Sequence, residues 1–194
     1  MKKISLIMFF MAATVAVAII ACNNKPTEAT AKVEISQDSL ISRGSYLVNS
    51  MGCDDCHSPK AFGPNGPELI PDQRFSGHHA DAPLPKADTA TAKKGWILFA
   101  PDLTAAVGPW GMSFAANISS DQTGIGNWTE EQFFRAIREG KSKGLKETRP
   151  LLPPMPWTQY RNLKDDDLRA IFAFLKSTKP VENRVPEWKK WNEL

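Results

Sequence analysis

The chain has 194 residues, enough for one domain with a sizeable core, and its 42% hydrophobic and 23% charged residues are ordinary for a globular protein. The formal net charge is +3, part of which comes from two lysines in an N-terminal segment that we expect to be removed. This balance argues against nucleic acid as a partner, and it does not call for an anionic membrane either.

The first 22 residues have the three parts of an export signal. Two lysines form a positive start, residues 4–20 form an apolar run, and Ala21 precedes Cys22. An uncleaved membrane span is the alternative, but a span normally needs about 20 apolar residues and no basic cluster follows this run. The ending IIAC resembles a bacterial lipobox, which implies a lipoprotein signal peptide over residues 1–21 and a lipid on Cys22.

A polar segment with few bulky apolar residues follows the cysteine. Residues 22–37 are therefore predicted to form a flexible tether between the anchor and the domain. The mature chain is expected on the periplasmic or cell-surface side, held to a membrane by its lipid.

Two helices are predicted from periodicity and capping signals. The first covers residues 38–52, where Gly44 shares one face with four apolar residues, Leu40, Leu47, Val48 and Met51. The second begins after Thr129, an N-cap whose capping box Gln132 would complete, and it stops near Gly140.

A third helix is predicted over residues 163–177, where three aspartates in the first turn complement the helix dipole. Its buried stripe consists of Leu168, Ile171, Phe172 and Leu175. Between these helices, residues 58–116 hold 8 of the 15 prolines and 6 of the 12 glycines, and one short strand is predicted around 96–99. A loop of this length is unusual in a compact domain unless it wraps a bulky ligand.

The stretch MGCDDCHSPK contains Cys53, Cys56 and His57, and three kinds of site use such residues. A structural zinc site needs four ligands, usually from two paired sets, and only one pair is present. A thioredoxin-like dithiol opens a helix in a βαβ unit, whereas this pair follows a predicted helix and no parallel strands are predicted.

C-x-x-C-H is the attachment signature of c-type haem. Two cysteines about one helical turn apart can reach the two vinyl groups of one porphyrin, and the adjacent His57 then lies beneath the iron. Because Cys22 is assigned to lipid, no thiol is left over once Cys53 and Cys56 are used. One motif predicts one covalent haem c.

Four stretches carry a family resemblance: RGSYLVNSMGCDDCHSPK, GPWGMSFAANISSDQTGIGNWTEEQFFRAIREGK, RPLLPPMPW and LKDDDLRAIFAFLKS. They resemble class I cytochromes c with a single haem, particularly the secreted bacterial branch related to cytochrome subunits of periplasmic dehydrogenases. The resemblance implies an all-α cytochrome c fold in residues 38–186, with a long Pro/Gly-rich loop insertion and a C-terminal tail over 187–194.

In that fold the first and last helices cross and the haem lies between them and the loops. The crossing is expected to bring Gly44 close to Phe172. Lys164 stands where the family usually has a Ser or Thr cap.

Met155, in the stretch LLPPMPW, is predicted to be the second axial ligand of the iron. Flanking prolines lower the entropy of a loop that must hold one sulfur in place, and the resemblance includes PPMPW. The rivals are less suitable. His78 and His79 are expected in a polar surface loop, Met51 lies on the attachment helix itself, and Met112 is expected to pack near the haem edge.

A His/Met pair leaves no open coordination position, which favours electron transfer over oxygen chemistry. The chain is therefore predicted to be an electron carrier and not an enzyme, exchanging electrons with redox proteins on the dehydrogenase or terminal-oxidase side. Two alternatives remain: the electron-accepting subunit of a periplasmic dehydrogenase complex, and a haem enzyme or gas sensor with an open iron site, such as a peroxidase.

Weaker signals concern the surroundings of the haem. Pro64 or Pro67 is expected to offer a carbonyl to the second nitrogen of His57. Six basic residues within 135–149 form either a solvated face or a docking rim for an acidic partner. Three more side chains are candidates for approaching the haem or its propionates: Asn117, Trp128 and Trp157.

Overall fold

The structure is a computed structural model, and it describes residues 36–194. The expected signal peptide, Cys22 and nearly all of the tether lie outside the described residues. Within 36–194 there are six α-helices: α1 (Gln37–Ser50), α2 (Cys53–His57), α3 (Thr89–Lys93), α4 (Glu130–Arg138), α5 (Trp157–Tyr160) and α6 (Asp165–Ser177). No helix in this range is long and apolar enough to cross a bilayer.

Helix α1 begins and ends close to the predicted bounds. The hydroxyl of Ser36 caps its start by accepting a hydrogen bond from the Ser39 N–H at 3.2 Å. At its end the Met51 N–H donates to the Leu47 carbonyl at 2.9 Å. Gly44 and Val48 are its buried residues, as the apolar face predicted.

Helices α1 and α6 cross at Gly44. A Cβ placed there would overlap the Ala170 carbonyl oxygen and lie 2.7 Å from Phe174 Cβ, so only glycine permits this approach. The crossing is confirmed, but the expected neighbour Phe172 is wrong. Phe172 lies about 200° around the helix from Ala170 and Phe174, and its ring stacks on Phe133 with centroids 5.1 Å apart.

Helix α6 begins one residue after Lys164, whose side chain makes no capping bond. Its acidic first turn is present, and Asp167 turns inward to accept a hydrogen bond from Arg43 of α1 at 2.7 Å. Three residues of the predicted stripe, Leu168, Ile171 and Leu175, belong to the buried core, whereas Phe172 is half-buried and packs against it. That core comprises Val48, Phe75, Ile125, Phe133, Leu168, Ile171 and Leu175.

The capping box of α4 is half formed. Thr129 accepts a hydrogen bond from the Gln132 N–H at 3.1 Å, as predicted. The Gln132 side chain does not return to Thr129, because it donates instead to the Lys143 carbonyl at 2.8 Å. The Gln132 side chain therefore binds the turn after α4 and does not cap the start of the helix.

The expectation of an all-α fold holds for the helices and is wrong for the long insertion, which folds into two small antiparallel sheets. One is the hairpin of β1 (Lys60–Gly63) and β2 (Gly66–Leu69). The other has the order β3-β4-β5, formed by β3 (Leu98–Phe99), β4 (Ala105–Gly108) and β5 (Gly111–Phe114). The strand predicted at 96–99 overlaps β3, and the others are too short to show a periodic pattern.

The last residues of the chain pair with the second sheet. Met112 of β5 and Lys189 exchange backbone hydrogen bonds at 2.9 and 3.0 Å. The Trp188 indole donates to the Trp110 carbonyl at 2.9 Å, and the Trp191 indole donates to the Pro109 carbonyl at 3.0 Å. The segment expected as a tail is thus attached to the sheet.

Candidate functional site

The cysteine motif forms the short helix α2, immediately after α1. Gly52 joins the two helices with φ +70°, a left-handed conformation that glycine adopts without strain. Cys53 and Cys56 are free and half-buried. Being three residues apart on a helix, they lie on the same face.

The imidazole of His57 is held by a backbone carbonyl from a distant part of the chain. Its Nδ1 is 2.7 Å from the Ala116 carbonyl oxygen, so Nδ1 carries the proton and donates. The expected carbonyl of Pro64 or Pro67 is therefore wrong. Burial lowers the pKa of His57, which keeps the ring neutral, and no described residue hydrogen-bonds its Nε2.

The backbone around His57 is fixed by residues that follow the first hairpin. The His57 carbonyl accepts a hydrogen bond from the Gly77 N–H at 2.8 Å, and His78 N–H donates to the Ala115 carbonyl at 3.0 Å. A strip of chain around Gly77 thus lies between α2 and the end of β5. This strip explains how Ala116 comes within reach of the ring.

Charged side chains hold the two ends of α2. Arg74 donates to both carboxylate oxygens of Asp54, at 2.9 and 2.6 Å. Burial alone raises the pKa of Asp54, but hydrogen bonds from Arg74 and Ser58 outweigh it and lower that pKa. The Lys60 ammonium lies within 2.7–3.2 Å of four carbonyl oxygens, three of them at the end of α2, where a cation is favoured.

The loop that carries Met155 is hydrogen-bonded to β5 before Met155 and to the residue just ahead of the cysteine motif after it. Met155 is half-buried, and Ser113 of β5 donates to the Pro153 carbonyl at 2.7 Å. Five residues further on, the Tyr160 hydroxyl donates to the Met51 carbonyl at 3.0 Å. Burial raises the pKa of Tyr160, and the nearby cysteine sulfurs raise it further. The loop carrying Met155 therefore leads back to α2, while its sulfur as the axial partner of His57 stays a prediction.

The rival ligands have other positions. His78 does not lie in a polar surface loop, since it is 2% exposed, stacks on Phe114 and bonds Thr104 Oγ1 through Nδ1 at 2.7 Å. The half-buried His79 has its Nε2 2.9 Å from the Ser76 hydroxyl.

Three further candidates are engaged in packing. Asn117 joins distant loops, with its amide donating to the Val181 carbonyl at 2.8 Å and its oxygen accepting from the Ser119 N–H at 2.9 Å. Trp128 packs against the core, and Trp157 packs against Gly140. Each of the three thus has structural contacts, and their approach to a haem stays a prediction.

Half of the six cations in the basic stretch 135–149 form ion pairs. Arg135 pairs with Glu131, Arg138 with Asp165, and Lys143 with Glu187. Half of its six cations thus have carboxylate partners on the protein itself, which favours the solvated face over a docking rim.

Known proteins resemble the chain over parts of its length. It is 42% identical over 79 residues to a subunit of the nicotinate dehydrogenase of Pseudomonas putida, covering 40% of the chain and 6% of that protein. It is 39% identical over 83 residues to the cytochrome c subunit of the quinone alcohol dehydrogenase of Gluconobacter oxydans, covering 41% and 17%. It is 29% identical over 148 residues to the gluconate 2-dehydrogenase cytochrome c subunit of Pantoea cypripedii, covering 75% and 25%. The chain is therefore similar, over part of its length, to proteins named as cytochrome c subunits.

The similarity covers only a small part of each relative. The chain covers a quarter or less of the length of each of these relatives. No family model matches it. Relatives that are named as cytochrome c subunits imply haem c as the cofactor.

The side chains of α2 fit this cofactor. Burial, reinforced by the charge of Asp54, raises the pKa of Cys53 to about 11, so its sulfur is a thiol at neutral pH, and burial raises the pKa of Cys56 as well. His57 provides a neutral ring with its Nε2 not taken by any described residue. Within residues 36–194, no group of three or more His, Cys, Asp or Glu side chains is placed to hold a metal ion.

Proposed function

We propose that the protein is an electron carrier that binds one haem c covalently through Cys53 and Cys56. The relatives named as cytochrome c subunits support the cofactor. The C-x-x-C-H signature, with its two half-buried free thiols on one face of α2, supports the covalent attachment. A single motif supports one haem.

The hydrogen bond between His57 Nδ1 and the Ala116 carbonyl is the observation that carries this proposal. It places the proton on Nδ1 and leaves the lone pair on Nε2, which is the form of histidine that binds iron. Met155 is the proposed second ligand, because its loop is held to β5 at Pro153 and to α2 through Tyr160.

A haem c supplies a reversible one-electron couple at its iron, and a His/Met pair raises its potential. The chain contributes the positioning. Asp54, Arg74 and Lys60 hold α2 in place, so that His57 need not move when the charge of the site changes. If His57 and Met155 both bound the iron, no coordination position would be left for a substrate, and the protein would transfer electrons without catalysing a reaction of its own.

We also infer that the protein is anchored by a lipid on Cys22 at the periplasmic or cell-surface side of a membrane. The sequence IIAC after an apolar run supports this. Dehydrogenase subunits among the relatives favour an electron donor of that class, so that the chain would act as a separate carrier or as the electron-accepting subunit of a complex.

The absorption spectrum of the purified protein tests the proposed function. The haem should remain on the chain after denaturation and acidified-solvent extraction, and the pyridine haemochrome should give one haem per chain. Adding carbon monoxide to the reduced protein should leave the spectrum unchanged, because Met155 fills the sixth position. A haem that is extracted freely contradicts covalent attachment. A spectrum shifted by carbon monoxide supports the open-site enzyme or sensor instead.

A further inference from the structure

The loop that carries Met155 has few backbone donors. Residues 152–156, called the Met155 loop here, read LPPMP, and their three prolines have no N–H group. Of the two amides that are left, the Met155 N–H donates within the loop, to the Leu152 carbonyl at 3.3 Å. The loop therefore has to be attached to the rest of the domain mainly through its carbonyl oxygens.

One hydrogen bond makes this attachment. The Ser113 hydroxyl donates to the Pro153 carbonyl at 2.7 Å. In the part of the chain that the structure describes, no other hydrogen bond joins the Met155 loop to a residue outside 152–160. Because Pro153 and Pro154 restrict φ, a movement of the Met155 backbone also carries the Pro153 carbonyl away from Ser113. The bond to Ser113 therefore opposes withdrawal of the loop.

The second sheet places Ser113 for this bond. Ser113 belongs to β5, lies opposite Ala106 of β4 and is 8% exposed. A second acceptor is within reach of its hydroxyl, since the Ala106 carbonyl oxygen lies at 3.5 Å. A hydroxyl has only one proton to donate, and the much shorter distance assigns that proton to the Pro153 carbonyl.

The indole of Trp110 fixes the direction of this hydroxyl. The Trp110 Nε1 lies 3.1 Å from the Ser113 oxygen, and an indole N–H can only donate. The serine oxygen therefore accepts from Trp110, and its own proton is directed to Pro153. Trp110 is in turn held by the C-terminal segment, because its carbonyl accepts a hydrogen bond from the Trp188 indole at 2.9 Å.

We propose that Ser113 is a positioning residue for Met155, and that Trp110 acts on the same bond by directing the Ser113 hydroxyl. The inference rests on the proposed function, in which Met155 is the second ligand of the iron. The bond from Ser113 to Pro153 stabilises the closed arrangement of the Met155 loop. It thereby lowers the fraction of protein in which the methionine has left the iron and another ligand can bind there.

Competition by imidazole tests this proposal on the full-length, haem-loaded protein. Added imidazole can bind the oxidised iron only when Met155 has left it, so its apparent affinity is proportional to the fraction of protein with an open loop. The titration is followed by the absorption band of the oxidised protein that arises from the iron–sulfur bond, which disappears as imidazole replaces the methionine. Because Ser113→Ala removes one hydrogen bond of the closed loop, it should raise the apparent affinity for imidazole about two- to tenfold.

Further variants separate positioning from a general loss of stability. Ser120→Ala is the matched control, because the Ser120 hydroxyl also donates to a distant carbonyl, that of Thr178 at 2.5 Å, and this variant should leave the imidazole affinity unchanged. Ser113→Thr keeps the hydroxyl and should bind imidazole as the parent protein does. Trp110→Phe should raise the affinity, and it should add nothing to Ser113→Ala, because the hydroxyl that the indole directs is then already absent.

The outcomes distinguish this inference from the proposed function. A parent protein without the iron–sulfur band overturns Met155 as a ligand, and the inference falls with it. A parent protein that has the band, but whose Ser113→Ala variant binds imidazole with unchanged affinity, overturns the inference alone. Equal increases in Ser113→Ala and Ser120→Ala, or a Ser113→Thr protein that behaves like Ser113→Ala, would also overturn it.

The double variant decides the part played by Trp110. Additive effects of Trp110→Phe and Ser113→Ala would contradict a shared action on one bond. If Ser113→Ala does not fold with its haem, Trp110→Phe alone decides. A raised imidazole affinity in that variant then supports the proposal, and an unchanged affinity overturns it.

Discussion

Replacing Gly44 with alanine tests whether the crossing of α1 and α6 depends on the missing side chain. The added Cβ would overlap the Ala170 carbonyl oxygen and lie 2.7 Å from Phe174 Cβ. Optimal contacts between carbon atoms are about 3.5–4.0 Å, so the two helices must separate by roughly 1 Å. Both obstacles belong to backbone or to Cβ atoms, which no change of rotamer can move away.

The magnitude follows from two opposing effects. Alanine is favoured over glycine inside a helix by about 1 kcal/mol. Overpacking typically costs about 1–3 kcal/mol, and a clash with backbone lies at the upper end of that range. Gly44→Ala should therefore lower the free energy of unfolding by about 1–2 kcal/mol, mainly because Val48 and Leu168 lose contacts when the helices separate.

Urea unfolding of the haem-loaded protein, followed by circular dichroism, measures this loss. The thermal midpoint should fall by about 2–8 °C. Ser42→Ala is the matched control, because Ser42 is an exposed residue of the same helix, and it should change the free energy by less than about 0.5 kcal/mol. If Gly44→Ala is as stable as the parent protein, the reasoning about this crossing is refuted.

Three other substitutions test the site and its supports. Met155→Ala should make the reduced protein bind carbon monoxide, seen as a shifted absorption band, whereas Met112→Ala should not. Thr129→Ala should lower the free energy of unfolding by about 1 kcal/mol in urea, since it removes the cap of α4. Asp54 has a lowered pKa in the folded chain, so it stabilises the fold above its unfolded pKa of about 3.9 and loses that effect as the pH falls through the folded value. The urea midpoint should accordingly decline less on acidification in Asp54→Asn than in the parent, and equal declines would contradict the contribution of its bond with Arg74.

The helices could be predicted because their signals are local. The apolar face around Val48, the Thr129 cap and the acidic start of α6 each depend on residues within one or two turns. The predicted neighbour of Gly44, Phe172, is two residues from the observed ones, Ala170 and Phe174, because a sequence indicates the buried face of a helix but not the height at which another helix crosses it. Apart from β3, which the strand predicted at 96–99 overlaps, the strands of the insertion cannot be predicted because four residues are too few for a period to appear.

In the candidate site, too, local features can be predicted from the sequence and long-range contacts cannot. Cys53, Cys56 and His57 are predicted from a five-residue pattern whose spacing would suit the two vinyl groups of one porphyrin. The bond from His57 to Ala116 joins residues 59 positions apart and uses a backbone carbonyl, which any residue type could provide. No side-chain pattern marks such a contact. The predicted carbonyl, that of Pro64 or Pro67, is therefore wrong.

That same bond ties the imidazole of His57 to the second sheet. Ala116 follows β5 directly, and Ala115 N–H donates to the Thr104 carbonyl at 2.8 Å, just before β4 begins. The ring of His57 is therefore held from the long insertion and not from its own helix α2. Its orientation depends on a part of the chain whose short strands show no periodic pattern, so the sequence predicts the histidine but not what positions it.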